Sequence, residues 1–279
     1  MKFPFVTGFA SQNYLLAEEG ILSAFQNNAN YWYIDASLSE EHPDKWSTVR
    51  INHLLSLVAQ YQVFPIVHGN FKAPIASDVE SLRKSSVEYV KKEIDFAHAL
   101  NAPLIVHGSV IVEPRLVSKV KKMALDQFVL SVETLLEYAE KRGVTLYLEN
   151  LSNYTNYSPF HYIFTTPAEV KYVIEKISEI KLFFDVGHAN IGNDPIEFFK
   201  SCHQSIAGMS FSNNNGDKDQ HCGLDKGEIS YADLVEAILD CDWLGIIAFE
   251  TRGKTTSQSI DNLGEIYKQV LQKKTGIHA

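Results

Sequence analysis

Three cysteines, Cys202, Cys222 and Cys241, are all that the 279-residue chain contains. They are too few and too irregularly spaced for a disulfide framework, so a reducing compartment is the simpler expectation. No apolar run reaches membrane-spanning length, and the opening Met1-Lys2-Phe3-Pro4-Phe5 lacks the apolar core of a secretion signal. A soluble, cytoplasmic protein with no membrane partner is expected. Blocks of consecutive Lys or Arg are missing as well, and the formal net charge is −9 with a pI near 5.6. That balance argues against a protein that grips a nucleic-acid backbone. There is no linker, short-period repeat or low-complexity tract. No glycine-rich phosphate fingerprint follows the first apolar segment, which counts against a dinucleotide-binding sheet.

What the chain does have is rhythm. Hydrophobic residues make up 45% of it, which suits one large domain. Apolar, strand-forming runs end near Phe9, Ile34, Val67, Val106, Leu148, Phe184, Phe211 and Phe249. Between them lie segments with apolar residues at helical spacing: 13–25, 46–61, 78–100, 117–141, 167–177, 195–202, 231–239 and 257–272. Gly143 is a plausible stop for the fourth helix, and Pro167 sits at a favoured first-turn position of the fifth. Buried strands alternating with amphipathic helices indicate a parallel sheet covered by helices. Eight such pairs in this length predict an α/β fold, a single (β/α)8 TIM barrel spanning residues 1–279.

Three of the strands deliver an acid at their carboxyl ends: Leu146-Tyr147-Leu148 runs into Glu149, Leu182-Phe183-Phe184 into Asp185, and Gly245 to Phe249 into Glu250. Burying one carboxylate without a partner is costly, and burying three together costs far more unless a cation neutralises them. In a barrel of this kind the strand ends form the active-site face, so the acids are expected to converge on a metal there. Asp35, His68, His107 and His188 fall at or just after strand ends, and the loop after the seventh strand adds Asp217, Asp219 and His221. Four of the ten histidines thus sit on the expected functional face, whereas His42, His53, His98, His203 and His278 read as surface residues and His161 as solvent-exposed. A lone histidine at a strand end more often donates to a backbone carbonyl than binds a ligand. Tyr154, Tyr157, Phe160 and Tyr162 cluster in one loop, where they either stack on a substrate or pack the loop down.

Glu149, Asp185-Val186-Gly187-His188, Asp219-Gln220-His221 with the following 222–227, and Phe249-Glu250 together resemble the xylose-isomerase-like TIM barrel superfamily over nearly the whole chain. That group holds sugar isomerases and epimerases and the endonuclease IV type of DNA-repair enzyme. The resemblance implies that Glu149, Asp185 and Glu250 ligate a divalent metal. In multinuclear members His68 and His107 would join Glu149 at a second ion, and His188, Asp219 and His221 would hold a third. One departure stands out. The family usually has a ligand histidine at the end of the seventh strand, and here Ser210 occupies that position, with Asn213 as a candidate substitute.

Mixed carboxylate and imidazole donors suit Mn, Zn, Fe or Co, and an all-oxygen centre would admit Mg. The reading that follows is a metal-dependent sugar isomerase or epimerase moving a proton on a small keto-sugar, polyol or sugar derivative. Glu149 and Glu250 would be its catalytic acid–base pair, acting through an enediolate. His188, Arg252 and Asn213 are candidate substrate contacts, Arg252 for an anionic group or a developing oxyanion. The alternatives are an endonuclease IV-type phosphodiesterase and a barrel that binds a metabolite without turnover. The sequence does not fix the oligomeric state, a homodimer being one candidate.

Overall fold

The computed structural model describes residues 6–11, 15–111, 116–154, 160–252 and 255–275. Eight parallel strands close a barrel: β1 (Val6–Ser11), β2 (Tyr31–Asp35), β3 (Phe64–His68), β4 (Leu104–His107), β6 (Leu146–Glu149), β8 (Lys181–Asp185), β9 (Ile206–Phe211) and β10 (Gly245–Phe249). They follow chain order around the ring, with β1 closing between β10 and β2. The helices between them are α1 (Ala17–Gln26), α2 (Thr48–Tyr61), α3 (Glu80–Ala99), α4 (Val117–Glu140), α5 (Pro167–Lys176), α7 (Pro195–Cys202) and α8 (Tyr231–Asp240), with α9 (Thr255–Thr275) after the last strand. The expected (β/α)8 barrel is what the chain forms. No helix among the described residues is long and apolar enough to cross a membrane.

Two features had no signal in the apolar pattern. A short helix, α6 (Val186–Ala189), follows β8 directly. A two-stranded antiparallel sheet pairs β5 (Ser109–Ile111) with β7 (Phe160–Tyr162) beside the barrel mouth. Of the loop aromatics, Tyr157 and the side chain of Phe160 lie outside the described residues, as do the His161 side chain, His278 and the first-strand residues Phe3 to Phe5.

Strand side chains alternate between two environments, as a period of two requires. Trp32, Ile34, Val67, Leu104, Val106, Leu148, Leu182, Phe184, Met209 and Phe249 pack outward against the helices. Ala10, Tyr33, Ile66, Ile105, Phe183 and Ala248 form a separate plug inside the ring, with Tyr31, Tyr147 and Ile246 packed against it. Gly208 makes room for that plug, since a Cβ there would meet the Phe183 ring at 2.3 Å. On seven of the strands the inward face carries a polar group two residues beyond the plug level. Tyr33 leads to Asp35, Ile66 to His68, Ile105 to His107, Tyr147 to Glu149, Phe183 to Asp185, Gly208 to Ser210 and Ala248 to Glu250. The apolar plug is therefore the floor on which the polar layer stands.

Helix α1 lies against β2 through Gly20, where a Cβ would come within 1.9 Å of the fully buried Trp32 indole. Alanine normally favours a helix interior over glycine by about 1 kcal/mol. Here that gain is outweighed by overpacking, and Gly20→Ala is expected to destabilise the fold by about 1–3 kcal/mol. Urea unfolding followed by circular dichroism checks this. An unchanged or higher midpoint would mean that α1 slides off β2 freely.

Candidate active site

The inward polar layer lines a cavity of about 150 Å³ at the carboxyl ends of the strands. Asp35, His68, His107, Glu149, His188, Asp219, His221 and Glu250 form its polar wall, and Phe71, Leu151, Tyr154 and Tyr162 its apolar rim. Glu149 sits at the centre and is fully buried. Its Oε2 lies 3.2 Å from His68 Nε2 and 3.4 Å from His107 Nε2, and its Oε1 lies 3.2 Å from His188 Nδ1. The rings of His68 and His107 are 4.6 Å apart.

Asp185 ends β8 and caps α6, its Oδ1 accepting from the His188 backbone N–H at 2.5 Å. Asn150 ties this corner to β6: its side-chain NH2 donates to the Asp185 backbone carbonyl and its side-chain Oδ1 accepts the Asp185 N–H, leaving its backbone carbonyl for His188. His188 Nδ1 is 2.9 Å from the Asn150 carbonyl, which can only accept, so this nitrogen carries a proton. The Nε2 of His188 then faces Asp219 Oδ2 at 3.3 Å. His221 is set the same way, with Nδ1 donating to the Glu250 carbonyl at 2.7 Å and Nε2 2.7 Å from Asp219 Oδ2.

The loop that supplies Asp219 and His221 is folded back by a bridge between Asn213 and Cys222. The Asn213 side chain donates to the Leu224 and Ile229 carbonyls and accepts from the Asn214 and Ile229 N–H groups. Its amide is fully engaged within the loop, which removes it as a substrate contact or as a substitute ligand. Arg252 is exposed and is not part of the cavity wall; its backbone N–H donates to the His221 carbonyl. Asp217 is exposed too. The remaining residues anticipated for the site, Glu149, Asp185, Glu250, His68, His107, His188, Asp219 and His221, are brought together.

Charge in this layer is unbalanced. Burial would raise Glu149, but the imidazoles of His107 and His68 hold it well below the usual carboxylate range. Burial together with Glu250 and Glu149 pushes Asp185 up to about 8, and burial together with Glu149 raises Glu250. Burial alone would lower His68, yet the charge and contact of Glu149 carry it to about 9, while burial keeps His107 below its ordinary value. The three buried acids cannot all ionise next to one another with protons as the only cations.

The same residues hold polar atoms without hydrogen-bond partners. Both ring nitrogens of His68 and of His107, both oxygens of Glu149, Asp185 Oδ2 and Asp219 Oδ1 are buried and unpartnered, the short approaches to Glu149 lacking hydrogen-bond geometry. Such atoms are costly to bury unless something else binds them. Two sets bring donor atoms within 4.8 Å of one another, His68 with His107 and Glu149, and Glu149 with Asp185 and His188. The donor chemistry and the unmet lone pairs fit a divalent cation.

Tyr33 and Asn150 escaped the sequence reading, and Ser210 entered it only as the place of a missing ligand. Ser210 Oγ donates to Glu250 Oε1 at 2.7 Å, Tyr33 OH lies 3.4 Å from Ser210 Oγ, and Asn150 locks the β6–β8 corner. Asp35 is turned partly aside, its Oδ1 accepting from both the N–H and the hydroxyl of Ser37.

Comparison with known proteins gives a consistent picture. The family described as a xylose isomerase-like TIM barrel matches residues 28–272. An uncharacterised protein of Methanocaldococcus jannaschii, MJ1311, is 25% identical over 254 residues, covering 85% of this chain and 84% of that protein. A D-tagatose 3-epimerase-like protein superposes with a TM-score of 0.77 at 24% identity, covering 96% of this chain and 99% of the other. An L-ribulose 3-epimerase superposes with a TM-score of 0.75 at 14% identity, covering 97% of each. At these identities the superpositions speak for the fold.

The Asp219 pairs carry a pH signature in the metal-free protein. Burial would lower His221, but the hydrogen bond and charge of Asp219 carry it from 6.5 to about 9. A raised folded value means stabilisation that is fully present below pH 6.5 and lost as pH rises through about 9. Asp219→Asn should therefore cost on the order of 2 kcal/mol near pH 6 in the presence of chelator, and markedly less near pH 10. Urea unfolding of both proteins at the two pH values measures it. An equal cost at both would exclude the ion pair as the cause.

Proposed function

The chain belongs to the xylose isomerase-like TIM barrel family, and on that footing we propose that it is a divalent-metal-dependent isomerase or epimerase of small keto-sugars. The observation that carries this reading is a pair of buried carboxylates, Glu149 and Glu250, lining one cavity beside a cluster of imidazoles. Glu149 is held ionised and Glu250 is pushed toward its neutral acid. They stand at the ends of β6 and β10, three strands apart around an eight-stranded ring. Separated charge states of this kind are what an acid–base pair needs.

A cation held by His68, His107, Glu149 and Asp185 would supply Lewis-acid polarisation of a ketose carbonyl, acidifying the neighbouring C–H. Glu149 would take that proton from one face of the carbon. Glu250 would return a proton from the other, so the carbon inverts. His188 and His221, fixed through their Nδ1 protons, point their Nε2 sides toward Asp219, where substrate hydroxyls could exchange with the existing contacts. Phe71, Leu151, Tyr154 and Tyr162 would keep bulk water from the enediolate. The solved structures with similar folds include a D-tagatose 3-epimerase-like protein and an L-ribulose 3-epimerase, which support a ketose as substrate.

A second reading, metal-dependent phosphoester hydrolysis, is favoured by the donors that an epimerase does not need. Among the described residues His68, His107 and Glu149 form one donor set, and Glu149 is shared with a second that includes Asp185 and His188. The net charge of −9 weighs against a nucleic-acid substrate.

Incubation of the Mn²⁺-loaded protein with D-tagatose or L-ribulose in D₂O should place deuterium on the carbon beside the carbonyl, detected by proton NMR. Glu149→Gln and Glu250→Gln should each slow this by about 100-fold or more. Absence of exchange with either sugar, together with cleavage of an abasic-site duplex at low salt, would replace this reading with the hydrolase.

A further inference from the structure

We propose that Tyr33 and Ser210 form a hydroxyl relay that fixes Glu250 for proton transfer and keeps its carboxylate apart from the metal-holding cluster. The inference rests on the isomerase reading and assigns two positioning residues within it. Ser210 occupies the inward position of β9, opposite Asp185 of β8 and Ala248 of β10, and is fully buried. A serine hydroxyl has one proton, and here it goes to Glu250 Oε1 at 2.7 Å. The 3.4 Å contact between Tyr33 and Ser210 is then made by the phenol donating to the serine oxygen. The Tyr33 ring is held on two sides. Its ring stacks on His68 with centroids 5.6 Å apart, meets Phe183 edge-on at 5.8 Å, and is 1% exposed.

Glu250 is thus treated differently from Glu149. Both oxygens of Glu149 are buried without hydrogen-bond partners, and Glu149 belongs to both donor sets. Among the described residues Glu250 belongs to neither. Its Oε1 is taken by Ser210. Its Oε2 lies 4.0 Å from His221 Nδ1, a nitrogen already donating to the Glu250 backbone carbonyl. Glu250, outside both donor sets and held at one oxygen by a hydroxyl, is placed to carry a proton, whereas Glu149, shared by both sets with its oxygens unmet, is placed as a ligand.

The test compares metal binding with turnover in the full-length chain. Mn²⁺ titrated calorimetrically should bind Tyr33→Phe, Ser210→Ala and Glu250→Gln within about threefold of wild type, and Glu149→Gln at least about tenfold more weakly. For exchange on D-tagatose or L-ribulose, Ser210→Ala should lower kcat about tenfold and Tyr33→Phe severalfold, with KM within about twofold. Circular dichroism melts confirm that each variant is folded, and Tyr33→Phe, which keeps the ring, covers the case in which Ser210→Ala is not. Loss of Mn²⁺ by Glu250→Gln to the extent seen in Glu149→Gln would overturn the relay, as would unchanged kcat and KM in both hydroxyl variants. A wild-type chain that takes up no Mn²⁺ overturns this inference and the parent reading together. Mn²⁺ uptake without sugar exchange sinks only the reaction, and the Glu250→Gln comparison then decides for or against the relay by itself.

Discussion

Both oxygens of Glu149 face imidazoles, three of them, in a place where water does not reach. Everything around the barrel mouth is arranged about that carboxylate. Its charge raises His68 and, added to the larger effect of burial, leaves the neighbouring acids Asp185 and Glu250 inclined to stay neutral. Protons can settle such a cluster only partly, because a proton neutralises one lone pair where a divalent cation satisfies several. The unmet nitrogens and oxygens are the geometric counterpart of the same deficit.

Strand parity explains how so many charged groups come to share one small space. An inward side chain recurs every second residue, so a strand that places an apolar group in the plug places its next inward group at the mouth. A shift of one residue in any strand would turn its polar group toward the helices and its outward hydrophobe toward the axis. The apolar plug therefore does more than fill the ring. Phe183, crossing over Gly208 toward Tyr33, packs in the register that sets Ser210 opposite Asp185.

Much of this could be read from the chain because parity leaves a mark in sequence. An apolar run ending in Glu149, Asp185 or Glu250 is visible without coordinates, and so are His68 and His107 after runs of the same kind. The loop residues were harder. Asn213 was expected to face a ligand, but an amide in a long polar loop can equally serve that loop's own backbone, and here four hydrogen bonds engage it that way. Arg252 lies two residues past Glu250 yet outside the wall, because the strand ends at Phe249 and alternation no longer governs beyond it. The pairing of β5 with β7 joins two three-residue strands far apart in sequence, too short to show a period. Tyr33 was invisible for another reason: a tyrosine inside an apolar strand is most economically taken for core, and only its hydroxyl, aimed at Ser210, says otherwise.

The serine at the end of β9 and the tyrosine on β2 are sterically one choice. Ser210 Oγ is 2.7 Å from Glu250 and 3.4 Å from the Tyr33 hydroxyl, in a fully buried position. An imidazole at residue 210 would have to occupy the space that the phenol fills, and Tyr33 cannot retreat while its ring is clamped between His68 and Phe183. The absence of a nitrogen ligand on this strand is therefore matched by a neighbour that fills the volume beside the serine. Glu250 Oε1, which an empty position would leave facing a void, is held by Ser210. Here the oxygen has a donor and that donor has a donor of its own, which is the pattern of a wall rebuilt around a different task for Glu250.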